Sequence, residues 1–312
     1  MSAFRSRAGS RTSRSKWTKR VVIPVVILAL IYAAVSFYIV DSALDAEANP
    51  LEERPQDFGL HYEDVEFTPR GWPTIVLRGW WMPAPDARGT VIRVHGIDST
   101  RSSRLGLAQA LVENGYSVLA FDLRGHGESD QAQMGAGIHE SEDVLGAVDY
   151  VVRERGAEPG RVFLHGHSYG GAIVLMSGWR EPAVAGVFAD SAFASLSDLV
   201  VQEVARRTSA PAWLAAVLRP GVILMARLSK GLDIEAVYPA EDAARYPYTI
   251  GLAHCQGDDR IPIGHLERIR AGVLHAPVFT VYEGCTHGQA WNDFPSRYEA
   301  NLITYLDQRL GL

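Results

Sequence analysis

One serine lies in a setting that suits nucleophilic catalysis. Residues 166–170 read Gly-His-Ser-Tyr-Gly, follow an apolar run and precede a helical stretch. A tight turn from strand to helix pushes the hydroxyl of its central serine into the open, and it crowds the residues two before and two after the serine. Gly166 and Gly170 suit that crowding. The pattern predicts that Ser168 is a nucleophile, and a purely structural Gly/Ser turn is the alternative reading.

The chain around this turn alternates short apolar runs with helical stretches. β-branched apolar runs are typical of strands that are buried on both faces of a parallel sheet. From residue 89 onward the alternation predicts right-handed βαβ units and a doubly wound α/β fold, in which the chemistry lies at the carboxyl ends of the strands. The expected strands are 60–67, 74–81, 89–95, 117–121, 161–166, 184–189, 248–254 and 277–282. The expected helices are 103–114, 139–155, 169–180, 263–272 and 293–309.

Residues 191–247 break this alternation, because they separate two strands by more chain than one crossover needs. Residues 195–207 and 210–228 both read as helical, and the second stretch is apolar nearly all round. We interpret the segment as a helical cap over the strand ends. A second membrane span is disfavoured, since Arg219, Pro220 and Gly221 interrupt the apolar run.

The N-terminus predicts a membrane anchor. Residues 1–20 hold seven basic residues and no acidic residue, and residues 21–40 are uncharged. Twenty residues of helix span about 30 Å, the thickness of a bilayer core. The positive-inside rule then predicts a cytoplasmic tail at 1–20 and a single-pass transmembrane signal-anchor helix at 21–40. A polar linker at 41–58 is expected to lift an extracytoplasmic domain, residues 59–312, off the membrane.

A cleaved signal peptide is the competing interpretation of this segment. Its apolar stretch is normally 7–15 residues and ends in a small-x-small site. Ala43 and Ala46 leave cleavage possible, but the apolar stretch here is longer. We therefore favour an uncleaved anchor.

Composition excludes several classes of protein. The 312 residues are of ordinary globular composition, and the net charge of −6 becomes −13 once the first 40 residues, which carry seven basic and no acidic residues, are set aside. An acidic body argues against a nucleic-acid surface, which needs clustered positive charge. We find no metal-ligand spacing and no phosphate loop, so we expect neither a metal nor a cofactor.

From about residue 60 to the end, the chain resembles the α/β-hydrolase superfamily, in particular its compact serine esterases, lipases and thioesterases. Beside the serine turn, the resemblance rests on three segments: Val94-His95-Gly96, the loop at 121–129 that reads FDLRGHGES, and the segment at 235–239 that reads EAVYP. It implies a mostly parallel, eight-stranded α/β-hydrolase fold with a helical cap. It also implies that the serine turn is the nucleophile elbow.

The resemblance further implies the partners of Ser168. His287, in the family's histidine loop, is the expected base, and Asp258 is the expected acid, with Asp259 and Asp190 as rival positions. The backbone N–H groups of Ile97 and Tyr169 are expected to bind the oxyanion. Of the other histidines, the resemblance implies that His95 and His126 are structural and that His167 points away from the chemistry.

The two cysteines are expected to pair. Cys255 and Cys285 follow the last two predicted strands, which should be neighbours in the sheet. Adjacent strands lie about 4.8 Å apart, a separation that a disulfide can bridge, and disulfides persist outside the cytoplasm. Two buried free thiols are the alternative.

Together these features predict a membrane-anchored serine hydrolase that cleaves carboxylic esters through a Ser-His-Asp acyl-enzyme mechanism. The apolar cap and the anchor suggest a small, lipid-like ester as the substrate. Two alternatives stay open. One is a peptidase or amidase on the same triad, and the other is a non-catalytic binding module that is tethered to the membrane.

Overall fold

The computed structural model describes residues 18–45, 49–200, 202 and 212–312. Eight strands form one sheet, and all eight are confirmed at the positions expected from the sequence. Their bounds are β1 Glu63–Phe67, β2 Leu77–Met82, β3 Gly89–Val94, β4 Tyr116–Phe121, β5 Val162–His167, β6 Val184–Asp190, β7 Gly251–Cys255 and β8 Val278–Tyr282. The order across the sheet is β1-β2-β4-β3-β5-β6-β7-β8.

The sheet is mostly parallel. β2 pairs antiparallel with both β1 and β4, and every pairing from β4 through β3 to β8 is parallel. β3, β4 and β6 are buried along their whole length, which explains their continuous apolar sequence. The doubly wound α/β-hydrolase fold is therefore confirmed.

Helices cover both faces of this sheet. Their bounds are α1 Ile23–Ala43, α2 Leu105–Glu113, α3 Ile138–Glu154, α4 Tyr169–Ser177, α5 Ala212–Met225, α6 Pro239–Ala243, α7 Gly264–Gly272, α8 Ala290–Asp293 and α9 Pro295–Leu310. α3, α4, α6 and α7 pack into one apolar core, and α2, α8 and α9 pack into a second core on the opposite face. The two cores hold the strand ends, and hence the loops that follow them, in fixed positions.

The described part of the cap contains helices joined by irregular segments. Residues 196–200 form a helical turn, and α5 continues into a π-helical turn at Ala226–Lys230. Several expected features lie outside the described residues: residues 1–17 of the cytoplasmic tail, Ala46 of the alternative cleavage site, and residues 201 and 203–211 of the cap.

Helix α1, which we call the anchor helix, has the length of a membrane span. Among the described residues, Lys19–Ala43 forms the one helix that is long and apolar enough to cross a bilayer, and a signal sequence would meet the same test. Pro24 lies in its first turn, where a missing backbone N–H costs nothing. Most of its apolar side chains are exposed.

Residues 41–58 are not the spacer that we expected. The anchor helix includes the first three of them, and Asn49 Nδ2 donates to the carbonyl oxygen of Asp98 at 2.8 Å. The side chains of Leu51 and Phe58 pack against the core that contains α2 and α9. Because these apolar side chains leave water by packing on the domain, residues 49–58 do not form a free linker.

Candidate active site

The turn from β5 into α4 has the geometry of a nucleophile elbow. Ser168 adopts φ +54° and ψ −119°, a conformation that L-residues rarely adopt and that costs on the order of 1–3 kcal/mol. A Cβ atom on Gly166 would lie 2.2 Å from the carbonyl oxygen of Gly170, and one on Gly170 would lie 2.3 Å from the carbonyl oxygen of Val94. Both positions therefore require glycine on steric grounds.

Ser168, His287 and Asp258 form one chain of hydrogen bonds. Nε2 of His287 lies 2.7 Å from Oγ of Ser168, and Nδ1 lies 2.7 Å from Oδ2 of Asp258. Ser168 follows β5, Asp258 follows β7 and His287 follows β8, so the carboxyl ends of three parallel strands bring them together. This arrangement allows the imidazole to take a proton from the serine hydroxyl while the carboxylate orients the ring.

The backbone of its own loop holds the Asp258 carboxylate in place. Oδ1 of Asp258 accepts the N–H groups of Arg260 at 3.1 Å and of Ile261 at 2.8 Å, while Oδ2 faces His287. The carboxyl group is buried, whereas the imidazole keeps 15% of its surface exposed. Asp258 is thus shielded from solvent, and a substrate could reach His287.

The two rival aspartates are placed differently. Asp259 is exposed. Asp190 is buried, and its Oδ2 accepts a hydrogen bond of 3.0 Å from the Arg104 guanidinium. Arg104 also donates to the carbonyl oxygen of Gly288, next to His287, so this arginine ties the end of β6 to the histidine loop. No sequence motif marked Arg104, because its partners lie 86 and 184 residues away along the chain.

The expected oxyanion donors border the serine. Ile97 lies in the loop after β3, and Tyr169 is the first residue of α4, where a backbone N–H has no acceptor within its own helix. Both residues line the cavity that contains Ser168. Amides at a helix N-terminus favour negative charge, so this edge of the cavity suits an anionic intermediate.

Two cavities of opposite character meet at Ser168. One, of about 420 Å³, is lined mainly by apolar side chains of the cap, the elbow and the anchor helix. The other, of about 290 Å³, is polar. The polar cavity is lined by Gly96, Ser103, Arg104, His167, His287, Gly288, Gln289 and Asn292, and Ile97, Ser168 and Arg260 line both cavities.

We expected His167 to point away from the chemistry, but it does not. Its ring lines the polar cavity, and a Cβ atom on Gly96 would lie 3.1 Å from its Nε2. The ring occupies the space that this glycine leaves open beside the loop after β3. This placement depends on a contact across two strands, which the local sequence does not indicate.

The loop at 121–129 stabilises the site without lining it. Asp122 is fully buried and accepts the backbone N–H groups of Arg101 at 2.6 Å and Glu128 at 3.0 Å. Nε2 of His95 accepts the N–H of Leu123 at 3.0 Å. These contacts fix the loop after β3, which carries Ile97, against the loop after β4.

Cys255 and Cys285, the pair expected to form a disulfide, are joined in the structure, with their Cα atoms 5.4 Å apart. Cys255 ends β7 and Cys285 follows β8. The bond therefore ties the loop that carries Asp258 to the loop that carries His287. Among the residues that the structure describes, no group of three or more His, Cys, Asp and Glu side chains is arranged to hold a metal ion.

Known proteins are similar to this chain in sequence or in fold. The protein YfhR of Escherichia coli O157:H7 is 30% identical over 217 residues, which cover 66% of this chain and 66% of that protein. The esterase Pf2001 of Pyrococcus furiosus superposes with a TM-score of 0.69 at 21% identity, covering 85% of this chain and 97% of that chain. The acylaminoacyl peptidase of Pyrococcus horikoshii superposes with a TM-score of 0.61 at 14% identity, covering 81% and 42% respectively.

At these identities the two solved structures show the fold alone, and the family follows from the sequence match. Residues 85–247 match the family described as serine aminopeptidase, S33. That segment is just over half of the chain and contains the elbow, the loop at 121–129 and the cap. The chain therefore belongs to the serine aminopeptidase S33 family of the α/β-hydrolases.

Proposed function

We propose that this hydrolase is held in the membrane by residues 21–40 and cleaves carboxylic esters through an acyl-enzyme at Ser168. The observation that carries the proposal is the hydrogen-bonded chain from Ser168 through His287 to Asp258, with both bonds at 2.7 Å. A serine hydroxyl is a weak nucleophile at neutral pH and needs such a base.

The proposed reaction has two halves. Ser168 Oγ attacks the ester carbonyl as His287 Nε2 takes its proton, and the backbone amides of Ile97 and Tyr169 bind the oxyanion. His287 then gives the proton to the departing alcohol. In the second half, water attacks the acyl carbonyl as His287 takes its proton, and His287 then returns that proton to Ser168 Oγ as the carboxylic acid leaves. Each oxyanion donor contributes about 3–4 kcal/mol to transition-state stabilisation.

The lining of the two cavities favours an ester over a peptide with a free amino terminus. An α-amino group is cationic at neutral pH and needs an anionic or strongly accepting partner. Among the described residues that line the two cavities at Ser168, none is Asp or Glu, and two are arginines. An apolar acyl group and a leaving group without a cationic amine fit this lining.

The test is labelling of the detergent-solubilised full chain with a fluorophosphonate probe. Wild type is expected to be labelled, and Ser168→Ala and His287→Ala are expected to lose labelling. Asp258→Asn should lower the rate of ester hydrolysis on the order of 10⁴-fold. The exposed neighbour supplies a matched control, since Asp259→Asn should retain the wild-type rate.

Paired substrates then separate ester from amide hydrolysis. We expect p-nitrophenyl esters to be cleaved and aminoacyl anilides to be poor substrates. Preferential cleavage of the anilides would assign the site to a peptidase. A folded wild type that neither reacts with the probe nor cleaves either substrate would identify a tethered binding module and overturn the proposal.

A further inference from the structure

The apolar cavity at Ser168 is closed on one side by the anchor helix. The lining residues from the anchor and the residue after it are Tyr38, Ile39, Val40, Ser42, Ala43 and Leu44. Val40 is buried, and it shares an apolar cluster with Val222 of α5 and Ala136. The anchor helix therefore contributes to the walls of the cavity as well as to the attachment of the domain.

The cap holds the anchor helix in this position. The Tyr32 hydroxyl accepts the N–H of Gly221 at 2.9 Å and donates to the carbonyl oxygen of Val217 at 2.8 Å. Those two backbone groups are four residues apart in α5, so the hydroxyl is inserted where an intrahelical hydrogen bond would lie. Ser36 is fully buried, and a Cβ atom on Gly221 would lie 2.3 Å from its Oγ.

A contact between charged side chains continues the attachment at the outer end of the helix. Lys230 Nζ lies 2.7 Å from Oδ1 of Asp41. From Tyr32 to Asp41 the anchor is thus bound to the cap over more than two turns. This fixed contact makes its outer end a defined surface for a substrate to pack against.

The position of the cavity along the anchor places it at the membrane surface. The helix needs about 20 residues to cross the hydrocarbon core, and the lining residues are five of its last six positions and the residue beyond. Cap side chains beside the anchor also expose apolar surface: Trp213, Val217, Leu224 and Leu228. Exposed apolar side chains next to a membrane span favour contact of the cap with the outer leaflet.

The two cavities suit the two parts of an ester that lie on either side of its ester group. The apolar side suits an acyl chain, whereas the side lined by Gln289 and Asn292 can solvate a polar group. Both open on Ser168. An ester of a long-chain fatty acid with a polar alcohol has this division, and such esters are held in a bilayer with the ester group near its surface.

We infer that the outer end of the anchor helix is a wall of the acyl-binding site, and that the substrates are fatty-acyl esters whose acyl chain enters from the outer leaflet. This inference rests on the proposed function, because it requires Ser168 to be acylated. It adds that residues of the membrane span determine which acyl chains are accepted.

The test places a larger side chain in the cavity at a position of the anchor helix. Ala43→Phe adds a ring at a lining position, and Ala34→Phe makes the same change at an exposed position of the same helix that does not line the cavity. Both full-length proteins and wild type are reconstituted in phosphatidylcholine nanodiscs. Each is assayed with the acetyl, octanoyl and dodecanoyl esters of 4-methylumbelliferone and with a small fluorophosphonate probe.

In wild type, kcat/KM should rise about fourfold per added methylene until the cavity is full. Ala43→Phe should lower the ratio of dodecanoyl to acetyl turnover at least tenfold, whereas Ala34→Phe should match wild type in labelling rate and in turnover of every ester. Equal turnover of all chain lengths by wild type, or an unchanged chain-length profile in Ala43→Phe, would overturn this inference and leave the hydrolase proposal intact. Wild type that is not labelled at all would overturn both.

Discussion

At the scale of single residues, the site depends on where side chains are absent. Ser168 holds a positive φ, and the two flanking glycines leave no room for a Cβ atom. The backbone strain at Ser168 is sustained because the buried strand and helix on either side determine the turn. Substitution of a flanking glycine therefore disturbs the position of the nucleophile before it disturbs the rest of the fold.

Gly170→Ala is expected to lower the free energy of unfolding by about 1–3 kcal/mol, because the new methyl group overlaps the carbonyl oxygen of Val94. Labelling by a fluorophosphonate should slow more than tenfold. Urea unfolding and labelling kinetics measure both. Gly264→Ala is the control, since nothing lies within 4 Å of its Cβ position, and it should be neutral or stabilising by up to about 1 kcal/mol. If Gly170→Ala were labelled at the wild-type rate, the steric argument would be contradicted.

Two buried histidines predict how stability depends on pH. Burial lowers the pKa of His95 to about 3 and that of His265 to about 4, and each ring accepts a backbone N–H in its neutral form. In the unfolded chain both rings take up a proton near pH 6.5. In the folded chain they stay neutral at that pH. Stability should therefore be fully present above about pH 6.5 and fall as the pH drops toward 4, by up to about 1.4 kcal/mol per pH unit for each ring.

Urea unfolding between pH 7.5 and pH 4.5 measures this slope. His265→Gln is expected to make the slope shallower by about one proton. The exposed His275 provides the comparison, because His275→Gln should leave the slope unchanged. A slope in His265→Gln that equals the wild-type slope would show that this ring does not contribute.

At the scale of elements, the disulfide joins the two loops that carry the acid and the base. Cys255 and Cys285 are 30 residues apart along the chain, and the β8 end that precedes Cys285 lies at the edge of the sheet. An edge strand has a hydrogen-bonded neighbour on one side only, so it is held less firmly than a central strand. The disulfide offsets this weaker hold on β8 at the point that sets the relative position of Asp258 and His287.

Replacing both cysteines by serine is expected to lower the free energy of unfolding by about 3–4 kcal/mol, from the chain entropy of the released loop. The rate of ester hydrolysis should fall below the wild-type rate, which Asp259→Asn retains, because the two loops lose their link. Thermal unfolding and ester turnover test this. In denatured, non-reduced wild type a thiol reagent should find no free thiol, and a count of two would rule out the bond.

At the scale of the whole molecule, charge is divided by the apolar segment at 21–40. The seven basic residues of 1–20 precede it, and the body that follows carries 23 basic and 36 acidic residues. This division predicts an N-terminus in the cytoplasm and a catalytic domain outside it. The contacts of Tyr32 and Asp41 with the cap favour retention of the span, because signal-peptide cleavage after residue 43 would remove both.

Reporter fusions after Leu312 test this orientation in a bacterial host. An alkaline phosphatase fusion should be active and a green fluorescent protein fusion should be dark. Replacing the seven basic residues of 1–20 by glutamine should lower the phosphatase signal, since the charge bias that orients the span is lost. A bright fluorescent fusion of the unaltered chain would place the domain in the cytoplasm, and a mature protein that lacks residues 21–40 would identify a signal peptide.

The sequence by itself determined the parts that depend on local patterns. All eight strands, the elbow around Ser168 and the apolar span at 21–40 follow from periodicity, glycine spacing and length, which act over a few residues. The resemblance to α/β-hydrolases then pointed to Asp258 and His287, and the structure places both beside Ser168.

Only the tertiary structure decided which distant surfaces meet. Tyr32 and Val217 are 185 residues apart, and Arg104 and Gly288 are 184 apart, so neither contact leaves a periodic trace in the sequence. The segment at 41–58 reads as a polar linker because its few apolar residues are scattered, yet those residues pack on the domain. Burial of scattered side chains depends on the surface that receives them, and that surface exists only once the sheet has formed.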